Sequence, residues 1–178
     1  QAVFTNYVDT LIRQIQVAPG QGKVQPFKEN GFDYSMSQAS VNIKISKINS
    51  IVLGHGKLFT GNGYRSLLLS ENAFNYPYLH LNNHFKKWKY HIIYAAFQDL
   101  NHPHTYESGF VKKYNTTYWL EYAVHKKLSI SVFESIMWEA IKNKKIKNYQ
   151  LQYTNPLIGV HSATMGLNNK DNSIVGCN

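Results

Sequence analysis

Very short turns alternate with long connections along this chain, and both join runs in which apolar and polar residues alternate. Val41, Ile43 and Ile45 alternate with Asn42, Lys44 and Ser46, and a second run of this kind, about Ile48 to Leu53, ends at Gly54. Leu79 and Leu81 share one face of a run from Tyr78 to Phe85. Tyr90, Ile92, Tyr94 and Ala96 share one face of the next, Trp88 to Gln98. Tyr118, Leu120, Tyr122 and Val124 do the same from Asn115 onward, and Leu128, Ile130 and Val132 open a further run that reaches Trp138. A period of two is that of a half-buried β-strand. The breaks near Lys47, at Lys86-Lys87 and at His125-Lys126 are short, whereas residues 54–77, 99–114 and 139–147 form long connections. Antiparallel strands joined short at one end and long at the other are the pattern of a transmembrane β-barrel. A soluble sandwich has no reason to segregate its connections in this way.

The remaining segments are less regular. Val8, Leu11, Ile12 and Ile15 have helical spacing. Pro19-Gly20 ends that helix, and residues 20–31 read as loop. Residues 1–33 are therefore expected to be a loop or short helix entering the barrel. Ile130, Phe133, Met137, Trp138 and Ile141 also fit a helix face, but the tight turn before them favours a strand. Tyr149, Leu151 and Tyr153 mark a last alternating run before Asn155-Pro156, and residues 156–171 read as irregular. Ser173 to Asn178 reads as the start of a strand, and with Gln1 at the other end the chain looks like an interior fragment of a longer one. About eight antiparallel strands are expected, in a single all-β region over residues 1–178, enough to close a small barrel on their own.

Composition narrows the partners. The chain has 178 residues, 14% aromatic and 16% charged, with a net charge of +9. Low charge and many aromatics suit sheets with one apolar and one polar face, the aromatics near strand ends forming an interface girdle. The basic excess fits a solvated surface or an anionic one. Nucleic acid is discounted, because aromatic and basic residues share no single-strand-binding motif. One cysteine, Cys177, allows no internal disulfide. No apolar run is long enough for a membrane helix, which leaves a membrane barrel open.

The connection Gly54-His-Gly-Lys-Leu-Phe-Thr-Gly-Asn-Gly-Tyr-Arg-Ser-Leu-Leu-Leu-Ser-Glu-Asn-Ala-Phe-Asn-Tyr-Pro77 is far longer than the roughly two to six residues that usually join elements. Its apolar cluster of Leu67, Leu68, Leu69 and Phe74 needs something to pack against, as an in-folded or an extracellular loop. It also holds the candidate site residues. His55 lies between two glycines, and Asn62, Tyr64 and Arg65 follow glycines that permit turns with positive φ. Arg65 can pair in bidentate fashion with Glu71 or Asp99 as a clasp on the loop. Alternatively, these residues bind an acidic glycan.

This connection resembles a segment of Bacteroidetes outer-membrane proteins related to the capsule-assembly Wzi family, which include a gliding-motility-associated member. The likeness continues upstream in Gln1 to Asp9, Val17 to Val24 and Asn30 to Ser35, and downstream in Phe97-Gln-Asp-Leu100, Gly109 to Tyr114, Phe133 to Trp138 and Tyr153 to Pro156. Two places depart from the family pattern: Gly61-Asn62-Gly63 stands where Gly-Asp-Gly is usual, and Leu157 to His161 replaces an aromatic segment with an Arg-Pro pair. The resemblance implies a large barrel in the outer membrane of a Gram-negative bacterium. It implies a non-enzymatic role in capsule or exopolysaccharide assembly, or in gliding motility. Lipid and lipopolysaccharide, surface polysaccharide and other cell-surface proteins are the implied partners. The alternative is a soluble basic β-domain that binds polysaccharide or nucleic acid.

Enzymatic chemistry is not legible. His80 and His84 share a strand face but sit about 13 Å apart, too far for one ion. His102 and His104 flank Pro103 with no completing ligand set, and no Ser–His–Asp pattern accompanies His55. No catalytic residue, metal or cofactor is expected. Trp88, Trp119 and Trp138 are expected as interface anchors.

Overall fold

A computed structural model describes residues 6–18, 22–28, 31–61, 66, 68–71, 73–99, 110–139, 141–142, 145–146, 151–165 and 171–178. The chain divides into two compact units, one of Gln1–Ala39 with His55–Tyr76 and one of Ser40–Gly54 with Pro77–Asn178.

The first unit opens with helix α1 (Asn6–Ile15), as the spacing predicts. Three strands follow, β1 (Val17–Ala18), β2 (Gly22–Phe27) and β3 (Gly31–Tyr34), in an antiparallel sheet of order β1-β2-β3. Residues 20–31 therefore do not form the expected loop throughout. Local alternation is absent there because Gln25, Pro26 and Phe27 are all exposed. Ile12, Ala18 and Val24 form the core of this unit, with Phe32 against them. The long connection belongs to the same unit. Leu69 is buried and bridges Thr60, Ser66 donates its hydroxyl to the Thr60 carbonyl, and Tyr76 Oη accepts from Leu58 N at 3.0 Å. Phe74 lies against Gly22, so the apolar cluster of the connection finds a partner here.

The second unit is a seven-stranded sheet. Its strands are β4 (Ala39–Lys44), β5 (Asn49–Gly56), β6 (Tyr76–Phe85), β7 (Trp88–Asp99), β8 (Val111–His125), β9 (Leu128–Glu139) and β12 (Asn172–Cys177). Their order is β12-β9-β8-β7-β6-β5-β4, a meander in chain sequence. The all-β expectation holds, and the contested Leu128–Glu139 segment is a strand. Short turns recur as predicted. Ser46 Oγ accepts from Ile48 N and Asn49 N at 3.1 and 3.0 Å, closing β4 onto β5. Lys86 takes φ 54°, as the first residue of a two-residue hairpin turn requires. A register shift at Val124 precedes the Lys126-Lys127 turn.

The connection from β9 to β12 departs from the expectation. It carries a small hairpin, β10 (Ile141–Lys142) with β11 (Lys145–Ile146). The expected strand ending at Tyr153 is instead a 3-10 helix, Leu151–Thr154, and the irregular stretch contains helix α2 (Val160–Met165). Strand β12 forms where the strand-like terminus was anticipated.

Candidate functional site

Pairing in the sheet sorts the side chains onto two faces. Tyr90 pairs with Leu120, Leu120 with Val132, Ile92 with Tyr118, and Tyr118 with Glu134, so these share one face. The opposite face carries His80, Asn82, Lys89, His91, Asn115, Thr117, Glu121 and Ser135, interspersed with Ile93, Ala95, Trp119 and Phe133.

The first face changes character along its length. Near the short turns it is apolar and open, with Phe85, Trp88, Ile130, Val132 and Val175 exposed and the Trp88 and Tyr122 rings in tilted contact, centroids 4.5 Å apart. Toward the long connections it is roofed by residues 151–165. Tyr153 packs on Trp138 with ring centroids 4.5 Å apart, and Tyr118 donates its hydroxyl to the Tyr153 carbonyl at 2.6 Å. Tyr90 donates to the Pro156 carbonyl, and Tyr153 to Asp171. Glu134, fully buried, accepts from Gly159 N at 2.8 Å, Ser162 N at 3.0 Å and Ser162 Oγ at 2.7 Å, with His161 Nδ1 at 3.6 Å. Part of the face expected to meet lipid thus meets the chain's own segment. Trp119 and Trp138 are buried, and only Trp88 of the three tryptophans has the exposure of an interface anchor.

The polar face holds the candidate site. His91 Nδ1–H donates to Asn82 Oδ1 at 2.8 Å, and His80 Nε2 lies 3.2 Å from the same nitrogen. Lys89 Nζ meets Glu121 Oε1 at 2.8 Å, and Lys113 Nζ meets Asp99 Oδ1 at 2.9 Å. Between them lies a closed ring of buried polar groups. Thr117 Oγ1 donates to Asn115 Oδ1, Asn115 Nδ2 donates to Ser135 Oγ, and Ser135 therefore donates to Thr117 Oγ1, each at 2.9 Å. Asn115 Nδ2 also reaches the Ile136 carbonyl at 3.0 Å. Asn115→Ala breaks the ring and leaves buried donors and acceptors unpaired. It should cost about 1–3 kcal/mol in denaturant unfolding, with Thr117→Val costing less because it removes one hydroxyl and leaves the Asn115–Ser135 bond in place.

The candidates proposed from the sequence are scattered. His55 Nδ1 donates to the Ser37 carbonyl at 3.1 Å, which Asn75 Nδ2 also reaches at 2.7 Å. Glu71 is exposed at a turn. Asn62, Tyr64 and Arg65 lie outside the described residues, as do His102 and His104. Asp99, offered as a partner for Arg65, has Lys113 beside it. The His80–His91 contact is not apparent from spacing along one strand. It follows from register: a two-residue turn at Lys86-Lys87 sets Asn82 opposite His91. Hydrogen bonding and charge pairing are what this face can do. Among the described residues no group of three or more His, Cys, Asp or Glu could hold a metal ion. Ser162 bonds Glu134, not the imidazole, so that cluster lacks the order of a hydrolytic triad.

No family model, curated protein or solved structure matches the chain.

Proposed function

We propose that this chain is part of a transmembrane β-barrel in a bacterial outer membrane, a non-enzymatic component of surface-polysaccharide assembly or of gliding machinery. The observation that supports the barrel reading is the meander of long strands with an apolar band left open near the short turns on one side and hydrogen-bonding groups among apolar ones on the other. A barrel wall needs lipid-facing and lumen-facing residues to alternate in this way. The strands Trp88–Asp99, Val111–His125 and Leu128–Glu139 are each long enough to cross the hydrocarbon layer, which takes about 9–11 tilted residues. The hairpin turns add an interface chemistry. Phe85 and Trp88 flank Lys86-Lys87, Val124 and Leu128 flank the Lys126-Lys127 turn, and Ile45 and Ile48 flank Lys47, all with exposed apolar groups. Aromatic and aliphatic collars with lysine tips suit a headgroup layer. The outer strands β4 and β12 would meet further strands of the same wall, which removes two exposed edges. The polysaccharide or gliding role rests on the resemblance of the Gly54–Pro77 segment.

The test is direct. The native protein should need detergent for extraction and should shift on a denaturing gel when heated. Val132 lies on the open apolar face near the middle of its strand, so Val132→Arg should cost about 2–4 kcal/mol in a bilayer. On a water-facing surface the same change falls within about 0.5 kcal/mol. Free solubility in buffer together with a neutral Val132→Arg would overturn the reading in favour of a soluble basic β-domain.

A further inference from the structure

The hydrogen bonds of the polar face include one set that a metal ion can replace. His80 and Asn82 share a face of β6, and His91 stands opposite Asn82 on β7. His80 is the diagonal neighbour of His91, a separation that long side chains bridge. His91 Nδ1 is 2.8 Å from Asn82 Oδ1 and 3.2 Å from His80 Nε2, and the Asn82 carboxamide also bonds the His80 ring. Three donor atoms therefore converge on one point. With the Nδ1–H of His91 aimed at Asn82, His80 Nε2 presents a lone pair, since a second proton there would oppose the first.

The spacing is that of ligands on one ion. Two nitrogens bound at about 2.1 Å, at octahedral or tetrahedral angles, stand about 3.0–3.4 Å apart. The His80–His91 separation of 3.2 Å falls inside that range. A bound ion takes the place of the Nδ1 proton of His91, which moves to Nε2 of the same ring, so both imidazoles stay neutral.

Strands and apolar neighbours position the rings. Ile93 stands opposite His80 and Trp119 opposite His91, and both are buried. Sites on rigid elements hold donor geometry better than sites on loops. Lys89, two residues from His91 on the same face, has its charge offset by Glu121 at 2.8 Å. All of these residues lie in the paired part of the sheet.

We propose that His80 Nε2, His91 Nδ1 and Asn82 Oδ1 form a binding site for a divalent first-row transition metal, Zn²⁺, Ni²⁺ or Cu²⁺. Imidazole nitrogen favours these ions over Mg²⁺ and Ca²⁺, which take oxygen ligands. Two imidazoles and one neutral amide oxygen are a weaker set than the four ligands of a closed structural zinc site. The ion therefore keeps positions for water and exchanges readily. The site does not depend on the membrane reading, because a lumen-facing and a water-facing sheet present the same three donors.

The test is titration calorimetry of the full chain, in the detergent or buffer that keeps it dispersed, with zinc, nickel and magnesium chlorides. Zn²⁺ and Ni²⁺ should bind at least tenfold more tightly than Mg²⁺. His80→Ala and His91→Ala should each weaken Zn²⁺ at least tenfold, while His125→Ala, at the turn from β8 to β9, should leave it unchanged. Asn82→Asp places a carboxylate at the same position and should tighten Zn²⁺, a gain that can be read even if a histidine variant unfolds. Zn²⁺ binding no tighter than Mg²⁺, binding unchanged in both histidine variants, an equal loss in His125→Ala, or weaker binding by Asn82→Asp than by the parent would overturn the proposal.

Discussion

Replacing Glu134 with Ala should destabilise the second unit by about 3–5 kcal/mol. The carboxylate is fully buried and receives three donors, Gly159 N, Ser162 N and Ser162 Oγ. Removing it leaves those donors facing a void under a short helix that has little stability of its own. Charged hydrogen bonds are worth more than neutral ones, and the orphaned groups bear the full desolvation cost. Glu134→Gln retains one acceptor oxygen but points an amide donor at the helix start, so it should cost about 1–3 kcal/mol. Denaturant unfolding measures both. Hydrogen exchange over residues 151–165 should show that segment losing protection ahead of β8 and β9. A Glu134→Ala protein within 1 kcal/mol of the parent, with residues 151–165 still protected, would rule out this account of the roof.

Gly22→Ala should be of similar size in the first unit, by a different route. Gly22 is buried with φ 125°, a conformation that side-chain-bearing residues rarely adopt. A Cβ there would also fall within the Phe74 ring. Backbone strain of about 1–3 kcal/mol and overpacking of about 1–3 kcal/mol act together, for a total of about 2–6 kcal/mol. Phe74→Ala in the same chain separates them, because it removes the overlap and leaves the strain. The double variant should therefore recover part of the loss relative to the sum of the single changes. Strictly additive costs would mean that Phe74 does not rest on Gly22.

The alternating runs from Tyr78 to Gln98 and from Asn115 to Trp138, with their lysine turns, were legible because a period of two is written locally. So was α1, through Ile12 and Ile15. Strands β2 and β3 were not, since Gln25, Pro26 and Phe27 face outward in succession and carry no alternation. Helix α2 was missed because its N-terminal partner is Glu134, 25 residues before Gly159 and in another element. His55 was visible as a polar residue between glycines, but its bond to Ser37 spans 18 residues and could not be read from either. The polar face was only half visible. Asn115, Thr117 and Ser135 looked like ordinary polar positions until pairing closed them into a ring.

Reading along the chain was therefore enough to establish antiparallel strands joined by lysine-tipped turns, since strand periodicity and turn chemistry depend on a few neighbouring residues. Three things awaited the folded chain. These are the packing of Phe74 on Gly22, the burial of Glu134 beneath residues 151–165, and the approach of His80 to His91 across β6 and β7. Each joins residues with no pattern in common, and such contacts are set by how elements pack in space, which composition and period do not encode.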